Sequence, residues 1–261
     1  MNLATRRALE DLNRRFYEAV GSEFDRTRDH PWPGWKRVAA LAADRRNAST
    51  PAQAAYHVLD VGCGNGRFVF LLESLSGWRS RFDYLGIDAS ETLLAAARRR
   101  NPAPERVRFE HRDVIAEPLD GTLPRGPFAL VACFGLLHHV PGFAQRRALL
   151  ARMLERVEPG GLLAVTLWRF ADFERFRSRI VPWDESADPI DRAELEPGDH
   201  LLRWSDGDAP PRYCHFVDDS EEERLQAGLP ATLVDRFDAD GRESRLNRYL
   251  VLTPSGKRPQ P

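Results

Sequence analysis

Cysteine, lysine and long apolar runs are all scarce in this chain of 261 residues. The three cysteines, Cys63, Cys133 and Cys214, lie far apart with no C-x-x-C pair, which excludes a disulfide framework and a zinc-ribbon spacing. They are expected as reduced, buried thiols. Lys36 and Lys257 are the only lysines, and 38 Lys+Arg stand against 39 Asp+Glu, for a net charge of −1. So even a balance speaks against a general nucleic-acid coating protein, which would be basic. No apolar run approaches the roughly 20 residues of a membrane span; the longest, Phe128 to Leu137, is interrupted by Gly135. No membrane association is expected. The opening MNLATRRALEDLNRRFYEAV carries charges on a helical period and lacks the apolar stretch of a secretory signal, so the expected address is cytoplasmic.

What is present is a strict alternation. Leu3, Ala4, Ala8, Leu9, Leu12, Phe16, Tyr17 and Val20 share one helical face, which predicts an amphipathic helix ahead of the main pattern. A turn-rich stretch, GSEFDRTRDHPWPGWKRV, follows, and then a helix over 34–46. Strands are read at 56–61, 82–87, 106–110, 128–133 and 162–168, and helices at 66–76, 90–100 and 143–158, the last stopped by Pro159-Gly160-Gly161. Such an alternation demands right-handed crossovers and a mostly parallel sheet. Ala231 to Phe237 and Leu246 to Leu252 read as a closing antiparallel pair. The fold class is therefore α/β: a Rossmann-like, doubly wound, mostly parallel seven-stranded sheet with a C-terminal antiparallel pair. One domain spans 1–261, with a helical flap at 1–50, a core at 56–168, an insertion at 169–211 and the closing helix and strands at 212–252. The insertion is too long for an ordinary connection and is expected to be a mobile lid, anchored by Trp183, Leu201, Leu202 and Trp204. The tail SGKRPQP is expected to fray.

The strongest chemical signal is VLDVGCGNGRF, residues 58–68. An apolar strand runs into Asp60, Gly62, Gly64 and Gly66 alternate, and a helix follows. Glycines are needed where the backbone turns sharply and a ligand lies against it beside a helix N-terminus. The spacing is G-x-G-x-G rather than the G-x-G-x-x-G of nicotinamide enzymes. Asp88, in YLGIDAS, ends the second strand, where a carboxylate can accept from both hydroxyls of a ribose. Asp113, in FEHRDV, lies just past the third, where a carboxylate can accept from an adenine amino group. Three acids at the tips of successive strands make a nucleoside site.

With these motifs the chain resembles the class I S-adenosylmethionine-dependent methyltransferases from about Tyr17 to Leu252. FALVACFGLLHHVPG is similar to that superfamily's fourth-strand motif, and LLARMLERVEPGGLLAVTLW to its next helix and strand. The resemblance implies S-adenosylmethionine as cofactor, held by Asp60, Gly62, Gly64, Asp88, Asp113 and Val114 with Phe134 lining the pocket. A narrower resemblance rests on FYEAVGSEFDRTRDHPWP, Leu137-His138-His139, Val181-Pro182-Trp183 and RYCHF at 212–216. Together these look like the tRNA wobble-uridine methyltransferases, which esterify the carboxymethyl group of 5-carboxymethyluridine. HHV here replaces that family's HHW. The likeness implies a tRNA anticodon loop as partner and a small zinc-binding activator protein.

Methyl transfer from a sulfonium mainly requires alignment of acceptor and methyl carbon. A carboxylate acceptor is already ionised near neutral pH and needs a cation to orient it rather than a base. Arg28, Arg203 and Arg212 are the candidates for a bidentate clamp, and Arg28 matches the T-R before P-W-P. A hydroxyl or amine acceptor would instead need a base, for which His139 is placed. His138 and Trp183 are further candidates for substrate contact, and no metal is expected. The insertion opposes an RNA substrate: from Asp184 to Asp208 it holds nine acidic residues against Arg192 and Arg203 alone. A small-molecule carboxylate or hydroxyl acceptor is the alternative, and a catalytically silent cofactor-binding relative a third reading.

Overall fold

The computed structural model describes residues 1–27, 30–47, 55–79, 81–116, 119–186, 188–204 and 210–256. Helices α1 (Leu3–Arg26) and α2 (Pro33–Asn47) lead into β1 (Tyr56–Val61), α3 (Arg67–Ser74), β2 (Phe82–Asp88), α4 (Glu91–Arg99) and β3 (Val107–His111). The short α5 (Leu119–Thr122), β4 (Phe128–Cys133), α6 (Phe143–Leu154) and β5 (Val157–Trp168) follow. Then come α7 (Glu174–Arg177), β6 (Ile180–Val181), β7 (Asp199–Leu202), β8 (Arg212–His215), α8 (Asp219–Gln226), β9 (Ala231–Ala239) and β10 (Asn247–Pro254).

Strand order in the large sheet is β3-β2-β1-β4-β5-β10-β9, parallel from β3 to β5, with β10 antiparallel to both β5 and β9. This is the seven-stranded, mostly parallel sheet expected from the alternation. Alternate residues of each central strand feed opposite cores. Val58, Tyr84, Leu130 and Ala164 pack with α2, α3 and α4 on one face. Leu59, Val61, Val131 and Leu163 pack with α6 and α8 on the other. Both faces being covered explains why these strands read as continuous apolar runs. The chain order reverses between β1 and β4, and at the carboxyl ends of those two strands a crevice opens.

Three segments differ from the sequence expectation. Helix α6 stops at Leu154, and β5 starts at Val157, which pairs with Phe128. Pro159-Gly160-Gly161 is therefore an irregular stretch within β5, where the register shifts between Phe128 and Leu130, and not a helix stop. Helix α1 continues through the segment read as turns, as far as Arg26, because it docks on α4: a Cβ on Gly21 would lie 3.2 Å from Thr92 Cγ2. The insertion contains strands that the sequence reading does not list. Strands β6, β7 and β8 form a separate antiparallel sheet, whose Leu201 and Tyr213 bury against Leu9 and Leu12 of α1. RYCHF belongs to that sheet rather than to the closing elements. The linker at 48–50 and the tail from 257 lie outside the described residues. The three cysteines are free and buried, as expected. Among the described residues no helix is long and apolar enough to cross a membrane.

Candidate active site

The crevice widens into one cavity of about 780 Å³, bounded by α1, the β1–α3 turn, the ends of β2 to β5 and the small sheet. Its floor is set by glycine. Gly62 has φ +76°, and its N–H and that of Cys63 donate to the Ile87 carbonyl at 2.8 and 3.0 Å, tying the turn to β2. A side chain at Gly62 would meet Leu136 Cβ at 3.0 Å, so the β1 and β4 loops approach this closely only with glycine there. Gly64 donates to Asp88 Oδ2 at 2.8 Å, and Ser90 N–H to Asp88 Oδ1 at 2.8 Å. Asp88 thus braces the turn before any ligand arrives.

All three strand-end acids line the cavity. Asp60 is buried and accepts from the Tyr84 hydroxyl at 2.5 Å; burial, opposed by that bond, pushes its carboxyl up to about 7. Burial also raises Asp88 despite its two backbone donors. Asp113 closes a turn through Oδ1, which accepts from Ile115 and Ala116 N–H at 3.0 and 2.9 Å. Glu10 of α1 faces it and is raised to about 7, first by burial and also by Asp113. Carboxyls crowded at a cavity wall are relieved by a positively charged ligand. Val114 and Phe134 line the same space, Phe134 stacked on Trp35 at 5.5 Å between centroids.

At the other end lie the acceptor candidates. Arg28 lies outside the described residues. Arg203 is exposed and paired with Glu185, so it is a surface ion pair rather than a clamp. Trp183 does not line the cavity; it packs beside Leu9, Leu12, Leu201 and Tyr213. Arg212 is different. It is 5 % exposed, lines the cavity, has no carboxylate partner among the described residues, and its Nε makes no hydrogen bond. Phe16, Trp168 and Trp204 surround its guanidinium at 5.1, 5.2 and 5.2 Å.

His138 and His139 are buried and line the cavity, but His139 is not poised as a base. Its Nδ1 is 3.0 Å from the Tyr213 carbonyl, which can only accept, so Nδ1 carries the proton and Nε2 accepts from the Tyr17 hydroxyl at 2.8 Å. Asn13 Nδ2, 3.2 Å from Nδ1, is held by Asn13 Oδ1 accepting from Tyr213 N–H, and does not alter that tautomer. Burial, helped by Arg212, pushes the imidazole down to about 3. His139 is a neutral strut joining α1, β8 and the β4 loop. Sequence reasoning overlooked this use of Asn13 and Tyr17, and the ring Trp168 gives to Arg212, because those partners come from distant segments.

A family model described as "Methyltransferase domain" matches residues 59–163. The chain is 25 % identical over 155 residues to the tRNA (carboxymethyluridine(34)-5-O)-methyltransferase of Arabidopsis thaliana, covering 59 % of this chain and 32 % of that one. It is 35 % identical to the trans-aconitate 2-methyltransferase of Paracidovorax citrulli over 46 % of this chain and 42 % of the relative. The chain thus spans less than half the length of these curated relatives. Among solved structures, an S-adenosylmethionine-dependent methyltransferase from Clostridium acetobutylicum superposes with a TM-score of 0.58 at 12 % identity, covering 92 % of this chain and 98 % of the other. The N-methyltransferase NodS from Bradyrhizobium japonicum WM9, in complex with S-adenosyl-L-homocysteine, gives 0.54 at 16 % identity, covering 95 % and 98 %. Those likenesses establish the fold. The matched domain and the sheet order give residues 59–163 the likeness of a methyltransferase domain and the chain the fold of the solved S-adenosylmethionine-dependent methyltransferases.

The donor set fits that cofactor, which carries a sulfonium and an ammonium, a ribose and an adenine. Asp60 and Asp88 are raised carboxyls that a cation would relieve, and Asp113 Oδ2 makes no bond among the described residues. Because free Asp60 is protonated below about pH 7 and the cationic cofactor favours its ionised form, cofactor affinity is expected to climb with pH up to about 7. The slope from this one group is at most about tenfold per pH unit. Calorimetry between pH 5.5 and 8 should show proton release on binding at the acid end, and Asp60→Asn should flatten the profile. An unchanged slope in that variant would remove Asp60 from the linkage.

Proposed function

We propose that the protein transfers a methyl group from S-adenosylmethionine to a carboxylate of a small-molecule acceptor, forming a methyl ester. The observation that carries this reading is Arg212, a buried guanidinium facing the cavity with no carboxylate among the described residues to neutralise it. An isolated buried cation is costly, and a bidentate carboxylate is the ligand that offsets the cost. When bound, S-adenosylmethionine supplies a methyl carbon on a positively charged sulfur; the acceptor oxygen forms a C–O bond as C–S breaks, the electron pair returns to sulfur, and no proton moves. The residues of this chain therefore only bind, orient and exclude water. A hydroxyl acceptor would need a base, and His139 at about 3 accepts a proton too weakly for that.

The wobble-uridine reading shares the carboxylate chemistry, and Arg212 opens the RYCHF segment on which that likeness rests. Its RNA backbone is disfavoured by charge. On the helices flanking the cavity Arg6, Arg14, Arg15, Arg98 and Arg100 are each paired with Glu or Asp. Arg7, Arg26 and Arg99 on the same helices have no carboxylate partner among the described residues, so the pairing weakens attraction for phosphates without removing it. An activator subunit is not required in this reading, since α1 already roofs the cavity. With methyl-labelled cofactor, the product is expected to release its label as methanol in mild alkali, as esters do. A product stable to alkali would overturn carboxylate methylation.

A further inference from the structure

The environment of Arg212 restricts the acceptor beyond its carboxylate, provided the carboxylate reading above holds. Three rings cover the guanidinium. A guanidinium enclosed by rings offers a carboxylate only those N–H groups that face the cavity, and one carboxylate satisfies a two-pronged contact with them. The cavity lining connected to these rings is Phe176 and Leu202, with His138 5.0 Å from Trp168. Phe176 stands edge-on to Trp168 at 5.1 Å, and Leu202 is buried. Among the described residues Arg7, Arg14, Arg67, Arg112, Arg179 and Arg203 also line the cavity, none of them buried, and Arg67 lies over Trp32 at 5.6 Å. Arg203 is held by Glu185, and Arg179, exposed at the rim, donates to the Trp204 carbonyl at 2.9 Å.

We propose that the acceptor is a monocarboxylate borne on a flat, apolar body, and that the site rejects acceptors carrying a second carboxylate a few bonds from the first. The body lies between indole and phenyl rings, which favour planar unsaturated or aromatic groups. A second carboxylate there would be stripped of water against rings and Leu202 with no second buried arginine among the described residues lining the cavity to meet it, and such a group is expensive to bury. Rejection follows from what the walls lack, and acceptance from what they offer.

Cinnamate, crotonate and fumarate share a propenoate unit and differ in carrying phenyl, methyl or a second carboxylate. Methyl transfer by the full chain should give kcat/KM for cinnamate at least about 100-fold above fumarate, with crotonate between them. Trans-aconitate should be as poor as fumarate. Phe176→Arg, which places a guanidinium in the apolar wall, should narrow the cinnamate-to-fumarate ratio by about tenfold. If that variant does not fold, the ratio in the unaltered protein still decides. Equal use of fumarate or trans-aconitate overturns the selectivity, and crotonate equal to cinnamate overturns the flat apolar body. Alkali-stable label, or none transferred to any of the four, marks instead the failure of the carboxylate reading, and the proposal falls with it.

Discussion

Arg212→Met is expected to slow single-turnover methyl transfer to a carboxylate by about 100- to 1,000-fold, the loss of two hydrogen bonds to a charged group. Arg212→Lys should recover only part of the rate, because a point charge cannot reproduce the planar two-pronged contact. Both measurements are made with cofactor saturating, and calorimetry should find cofactor affinity within about twofold of the unaltered protein, since Asp60, Asp88 and Asp113 sit at the other end of the cavity. Arg203→Met serves as the comparison: its guanidinium is exposed and paired with Glu185, and exposed pairs contribute roughly 0 to 1 kcal/mol. Arg28→Met in the same assay separates the two arginines that the sequence presents as rivals. A full rate in Arg212→Met with a lost rate in Arg28→Met would move the clamp to Arg28.

The second large effect lies at the cofactor. Asp88→Ala is expected to weaken S-adenosylmethionine binding by roughly 2 to 4 kcal/mol, as two ribose hydroxyls lose a charged acceptor. The structure adds a reason for the upper half of that range. Asp88 also receives Gly64 N–H and Ser90 N–H, so its removal frees the glycine turn and the start of α4 together. Asp88→Asn, which keeps an acceptor oxygen for one of those donors, should fall between the two. Wild-type affinity in Asp88→Ala, or tighter binding of NADH than of the sulfonium cofactor, would refute the assignment of the site.

Much of this could be read along the chain because it is local. Asp60, Gly62, Gly64 and Gly66 stand within seven consecutive residues, and a strand running into a left-handed turn and a helix has few alternatives. Asp88 ends β2 and Asp113 lies two residues past the end of β3, so the rim follows once the strands are found. The end of α6 was less legible. Leu149 to Glu158 keeps a helical rhythm, and only pairing of Val157 with Phe128 across the sheet decides that the chain is already extended. The small sheet of the insertion was not legible for a related reason: Leu201 finds its partners Leu9 and Leu12 on α1, nearly 200 positions earlier, and makes a small core with them.

By itself, then, the sequence determined the sheet, the glycine turn and the three acids, because each rests on neighbours within one strand–turn–helix unit. Tertiary structure alone decided which described arginine is buried among rings and which histidine is a strut. Arg28, Arg203 and Arg212 are alike in the sequence. Only the fold sets Phe16, Trp168 and Trp204 around Arg212 while leaving Arg203 to Glu185 at the surface. His139 likewise resembles a base until Tyr17 and the Tyr213 carbonyl occupy its two nitrogens and burial strips its affinity for a proton. A charge or a titration depends on dielectric and counter-charge, and these are supplied by residues far away in the chain, which no local pattern records.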